Sequence, residues 1–133
     1  MYSVAMRYFS LIIILLICSC TNSAYQQHDR LLSWDHELVM QDGAAADGYY
    51  TDHENFIQSY FSADYKQDTL VVTTLHEINS CAEIVADIEI VNDTLYLLSR
   101  DVGDVACASV TFNKFTYIVY NPDNTKYKII SKK

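Results

Sequence analysis

Four histidines and seventeen carboxylates hold most of the chemistry in this chain, and two of the histidines sit in one setting, Asp35-His36-Glu37 and Asp52-His53-Glu54. Imidazole and carboxylate are zinc ligands, and clustered carboxylates are calcium ligands. Brought together by folding, the triplets would offer His36, Glu37, His53 and Glu54 to a metal ion, for binding or for metal-dependent hydrolysis. Two solvated polar stretches in an acidic segment explain the same residues without a metal, and that explanation is preferred. His76-Glu77 adds a third pair of this kind. Other chemistries lack their parts. No serine is flanked by glycines as a nucleophile elbow requires. The three glycines, Gly43, Gly48 and Gly103, are too scattered to cradle a phosphate. An enzyme is therefore not expected, and no cofactor is called for.

A second pattern is the repeat Asp68-Thr69-Leu70 and Asp93-Thr94-Leu95, spaced by 25 residues. Aspartate ending a turn and threonine opening a strand account for both copies. Asp-Thr followed by an aliphatic residue also resembles the O-glycosylation signal of some anaerobic Gram-negative bacteria, which would place sugars on Thr69 and Thr94.

The chain opens with Arg7 as its only early charge, an apolar run from Leu11 to Ile17, and Cys18-Ser19-Cys20. A bilayer span takes about 20 apolar residues, so this run reads as an export signal. Leu16-Ile17-Cys18-Ser19-Cys20 resembles the lipobox of Gram-negative bacterial lipoproteins. The resemblance covers the first twenty residues and implies cleavage before Cys20, with diacylglyceryl and N-palmitoyl-type acyl groups on Cys20. Each buried CH₂ contributes about 0.8 kcal/mol, so three acyl chains make an effectively permanent membrane anchor. Thr21 in place of aspartate implies an outer-membrane lipoprotein, and the lack of an acidic cluster just after Cys20 favours its periplasmic face. An ordinary signal peptide cut near Ser23-Ala24 is the alternative.

If Cys18 leaves with the signal and Cys20 is acylated, Cys81 and Cys107 are the remaining pair. In an oxidising compartment they are expected to form one disulfide, worth about 3.5 kcal/mol against the unfolded chain. Neither has a second cysteine or a histidine at zinc-ligand spacing. No free thiolate is then left for catalysis.

The elements that must position these residues are strands. Ala82, Ile84, Ala86, Ile88 and Ile90 alternate with Glu83, Asp87 and Glu89, as in a strand buried on one face. A two-residue turn at Asn92-Asp93 sets Val91 opposite Thr94, Ile90 opposite Leu95 and Ile88 opposite Leu97, so the apolar faces coincide. The same device at Gln67-Asp68 pairs Tyr65 with Leu70, Ala63 with Val72 and Phe61 with Thr74. Candidate strands run over 56–65, 69–75, 82–91, 94–99, 105–112, 115–120 and 126–130. The stretch 105–120 reads either as a hairpin turning at Asn113-Lys114 or as one long bulged strand, and 54–66 has a competing helical reading. The only proline, Pro122, falls in the turn Asn121-Pro122-Asp123-Asn124. Eleven tyrosines suit sheet edges and rims.

The fold class expected is all-β, a small antiparallel β-sandwich or barrel of about seven strands with one disulfide. Residues 1–19 form the signal, 20–30 a lipidated polar tether, 31–55 an acidic and partly irregular segment, and 56–133 the β domain. Within 31–55, Leu31 to Val39 fits either a short amphipathic helix or a first strand.

From Cys20 onward the chain carries 8 bases and 17 acids, a net charge of −9. Such a field repels nucleic acid and attracts cationic partners. The function expected is a non-catalytic envelope module that binds another protein or serves structurally. Inhibition of a cationic enzyme such as lysozyme is one form of this. Periplasmic lysozyme inhibitors are similar in size and disulfide content, but their Ser-Gly-containing inhibitory loop has no counterpart here.

Overall fold

The computed structural model describes residues 26–41 and 53–132, the side chains of Gln41 and His53 excepted. Among these residues seven strands form two sheets. Strands β1 (Leu31–Gln41), β2 (Ser62–Lys66), β3 (Thr69–Asn79) and β6 (Val110–Tyr120) make a four-stranded sheet in the order β1-β6-β3-β2. Strands β4 (Ile84–Val91), β5 (Thr94–Asp101) and β7 (Lys128–Lys132) make a three-stranded sheet in the order β4-β5-β7. Among the described residues one short helix, α1 (His53–Ser59), lies between β1 and β2.

The two hairpins form as the alternation requires. Val91 pairs with Thr94, Ile90 with Leu95 and Ile88 with Leu97. Tyr65 pairs with Leu70 and Ala63 with Val72, and the ladder ends at Ser62 opposite Thr73, so Phe61 lies outside it. The turns pass through left-handed backbone at Asn92 (φ 53°) and Gln67 (φ 31°). Asparagine bears this conformation more readily than glutamine does.

The core lies between the sheets. Leu70 and Val72 of β3 and Phe115, Tyr117 and Val119 of β6 pack with Ala86 and Ile88 of β4 and Leu95 and Leu97 of β5. Period-two alternation sends these residues inward from every strand, which is how a two-layer fold is built. A second, smaller core lies on the outer face of the larger sheet, where Leu75 and Phe112 pack with Val39, Met40, Phe56 and Tyr60. The turn after β6 is closed by buried Asn121. Its Nδ2 donates to the Thr125 carbonyl at 3.1 Å and its Oδ1 accepts from the Thr125 amide at 3.0 Å.

Several expectations change. Leu31–Gln41 is an eleven-residue strand, so the β domain begins well before residue 56; pairing with β6 recruits a segment whose own sequence was equivocal. Residues 56–65 are not one strand. Phe56 lies in α1, whose apolar side chains cover the second core, and β2 starts only at Ser62. The stretch 105–120 contains one strand from Val110, with Asn113 and Lys114 in its middle opposite His76 and Leu75. Central placement between β1 and β3 satisfies its backbone on both sides, which no turn there would do. The last strand is parallel to β5, so the smaller sheet is mixed.

Asp87, assigned to the solvent face, is buried and accepts from the His28 amide at 2.9 Å. The described end of the polar stretch is thus docked on the domain, and Arg30 Nη1 donates to the Tyr127 hydroxyl at 3.2 Å. Among the tyrosines, Tyr117 and Tyr127 are core residues. Tyr65 and Tyr96 fit the rim expectation, each lying under a lysine, Lys126 and Lys132, with the ammonium 3.6 Å from the ring centre.

Candidate functional site

The first Asp-His-Glu triplet lies on β1, and a strand sends successive side chains to opposite faces. His36 is opposite Phe115, onto whose ring it stacks at 5.3 Å, and its Nδ1 lies 3.3 Å from Asn113 Oδ1. Glu37 pairs with Lys114 instead. Of the second triplet, Asp52 and the His53 side chain lie outside the described residues, and Glu54 lines a surface depression with Asn55, Ile57 and Gln58. Among the described residues no three His, Cys, Asp or Glu side chains converge.

Thr69 and Thr94 open β3 and β5 and are half-buried. Thr69 Oγ1 donates to the Lys66 carbonyl across the hairpin at 3.3 Å, which is the structural role expected of a threonine beside a turn. Cys20 lies outside the described residues. Cys81 and Cys107 form the expected disulfide, 26 residues apart in sequence with Cα atoms 5.5 Å apart. Cys81 sits in the β3–β4 connection and Cys107 in the β5–β6 connection. Both connections cross from one sheet to the other, so the bridge ties the two crossings together. Beside it lies a groove of about 200 Å³ lined by Glu77, Ile78, Asn79, Ala82, Ile84, Ser99, Arg100 and Asp101.

The polar cluster that sequence reasoning missed is centred on His76. It follows Leu70, Val72 and Thr74 at period two on β3, so it faces inward and is only 2% exposed. Its Nδ1 lies 3.3 Å from Ser99 Oγ on β5, and its Nε2 lies 3.3 Å from Ser131 Oγ on β7 and 3.4 Å from the Tyr117 hydroxyl on β6. The Tyr117 hydroxyl donates to the Leu98 carbonyl at 3.2 Å, and the Phe115 ring meets the imidazole edge-on at 4.8 Å. A charged ring would be costly in such a place, whereas a neutral one can accept at one nitrogen and donate at the other. The cluster joins both sheets through hydrogen bonds and is suited to holding them in one alignment. The inward parity of His76 was the signal available in the sequence; its partners come from three other strands and left none.

Burial pushes the Tyr117 phenol well above the ordinary tyrosine range. An unfolded tyrosine loses its proton near pH 10, so above that pH the folded chain holds more protons than the unfolded one. Stability then falls as pH rises, by about 1.4 kcal/mol per unit from this residue. Tyr117→Phe is expected to remove that part of the alkaline slope and to cost about 1 kcal/mol at neutral pH through the lost hydroxyl contacts. Urea titrations at pH 7, 10 and 11 check it, and an alkaline slope unchanged in the variant would refute the assignment.

Geometry therefore defines the class as a small, disulfide-stapled β-sandwich of two sheets with a hydrogen-bonded histidine between them. No protein-family model, curated protein or solved structure matches the chain. Among the described residues no helix is long and apolar enough to cross a membrane.

Proposed function

We propose that this chain is an outer-membrane lipoprotein of a Gram-negative cell envelope, acylated at Cys20 and facing the periplasm, whose domain is a non-catalytic module that binds a protein partner or serves structurally. The observation that carries the reading is the lipobox-like Leu16-Ile17-Cys18-Ser19-Cys20 placed ahead of a domain stapled by Cys81–Cys107. Disulfides persist in oxidising compartments, so the bridge supports the export that the apolar leader implies. A bridge between two loop crossings braces a scaffold, and the buried His76 contacts do the same. A binding role is supported by the sheet edges: among the described residues β1, β2, β4 and β7 each have a strand neighbour on one side only, and such an edge can accept an added strand. The acidic balance of the domain favours a cationic partner.

Intact mass of the protein purified from its native membrane tests the anchor. The expected mass begins at Cys20 with three acyl chains, and Cys20→Ser abolishes both the acylation and the membrane fractionation. A mass beginning near Ala24 without lipid would overturn it. The same spectrum reads sugars on Thr69 and Thr94, and none is expected. Cross-linking in intact cells tests the binding role, with an unrelated domain carried on the same anchor as control. A partner specific to this domain supports it, and adducts identical to the control's would count against it.

A further inference from the structure

Asn79, the last residue of β3, grips both half-cystines with one side chain. Its Oδ1 accepts from the Cys81 amide at 3.0 Å and from the Cys107 amide at 2.9 Å, and its Nδ2 donates to the Cys107 carbonyl. Its neighbour extends the grip. The Ser80 amide donates to the Ser109 carbonyl at 3.1 Å, and the Ser80 hydroxyl meets the same carbonyl at 2.8 Å and the Ser109 hydroxyl. None of these contacts uses a sulfur atom, so none is broken by opening the S–S bond. They hold the β5–β6 connection against the end of β3 with the cysteine Cα atoms at bridging separation, 5.5 Å. The two cysteines differ in access: Cys81 is exposed and Cys107 is half-buried.

We propose that Asn79 is a positioning residue for thiol–disulfide exchange, and that Cys81–Cys107 is a reversible couple in which Cys81 is the sulfur that exchanges with an outside thiol and Cys107 the one that resolves. In the reduced chain the clasp keeps the loop in place, so the ordering cost of closing the bridge is met before the bond forms. With glutathione disulfide as oxidant, the Cys81 thiolate attacks one sulfur, forming a mixed disulfide and releasing one glutathione thiolate. The Cys107 thiolate then attacks the Cys81 sulfur, forming the bridge and releasing the second glutathione. Two electrons pass from the protein to glutathione disulfide, and the two thiol protons end, through solvent, on the two glutathiones.

The test equilibrates the purified chain in glutathione buffers of graded ratio, quenches with acid, alkylates free thiols and reads the oxidised fraction by mass. Asn79→Ala is expected to shift the equilibrium about tenfold or more toward the dithiol, because the loop it frees must then be ordered as the bridge closes. Asn79→Asp keeps an acceptor for both amides but turns a carboxylate oxygen on the Cys107 carbonyl in place of the donor, so a shift in the same direction is expected. It carries the comparison if reduced Asn79→Ala is unfolded by circular dichroism. The trapped glutathione adduct is expected on Cys81. A midpoint identical to wild type in both variants, or an adduct confined to Cys107, would overturn the proposal.

Discussion

Truncating Phe115 to alanine is expected to destabilise the domain by about 3–5 kcal/mol, the largest loss from any single substitution considered. Phe115 is fully buried at the centre of β6, paired with His36 on one side and Thr74 on the other. Its ring stacks with His36 at 5.3 Å and with Tyr117 at 6.2 Å, and it meets His76 edge-on at 4.8 Å. Removing it opens a cavity where the two sheets face each other, and the neighbouring His76 loses the ring that shields its hydrogen bonds. A domain of this size has about 5–15 kcal/mol in total, so the variant would sit near the edge of folding. Phe115→Leu, which keeps most of the volume, should cost less than about 1.5 kcal/mol. Urea unfolding reads both. A loss below about 1 kcal/mol for the alanine variant would mean that the ring is not the keystone its burial indicates.

Replacing both Cys81 and Cys107 with alanine is the second large effect, a loss of about 3.5 kcal/mol. Its mechanism differs from that of Phe115→Ala, because the bridge acts mainly on the unfolded chain, where it closes a loop between residues 26 apart. The unfolded ensemble of the variant is more expanded, so the denaturant slope should rise as the midpoint falls. Phe115→Ala should lower the midpoint at constant slope. The folded sandwich should survive in the cysteine variant, since Asn79 and Ser80 still hold the β5–β6 connection to β3. A variant as stable as wild type, or one with no folded baseline in water, would contradict this account.

The parts legible in the sequence were those decided by neighbouring residues. Alternation in 82–91 together with Asn92-Asp93 determined the strand, its inward face and the register of β4 against β5, because a two-residue turn leaves one pairing that matches apolar to apolar. Gln67-Asp68 did the same for β2 and β3. The pairing of Cys81 with Cys107 was foreseeable by exclusion, given the lipobox resemblance at Cys20.

What only the tertiary structure decided depends on residues far apart in the chain. Val110–Tyr120 has candidate turn residues at Asn113-Lys114, yet it runs straight because β1 and β3 satisfy its backbone on both sides. Leu31–Gln41 had no local preference strong enough to choose helix or strand, and the free edge of β6 made the choice. The parallel pairing of β7 with β5 and the burial of Asp87 under the His28 segment arise in the same way. So does the His76 cluster, drawn from β3, β5, β6 and β7. Turn chemistry and period two act over a few residues and are written in them, whereas sheet partition and buried polar contacts are set by summed burial and backbone pairing over the whole chain, which no single stretch encodes.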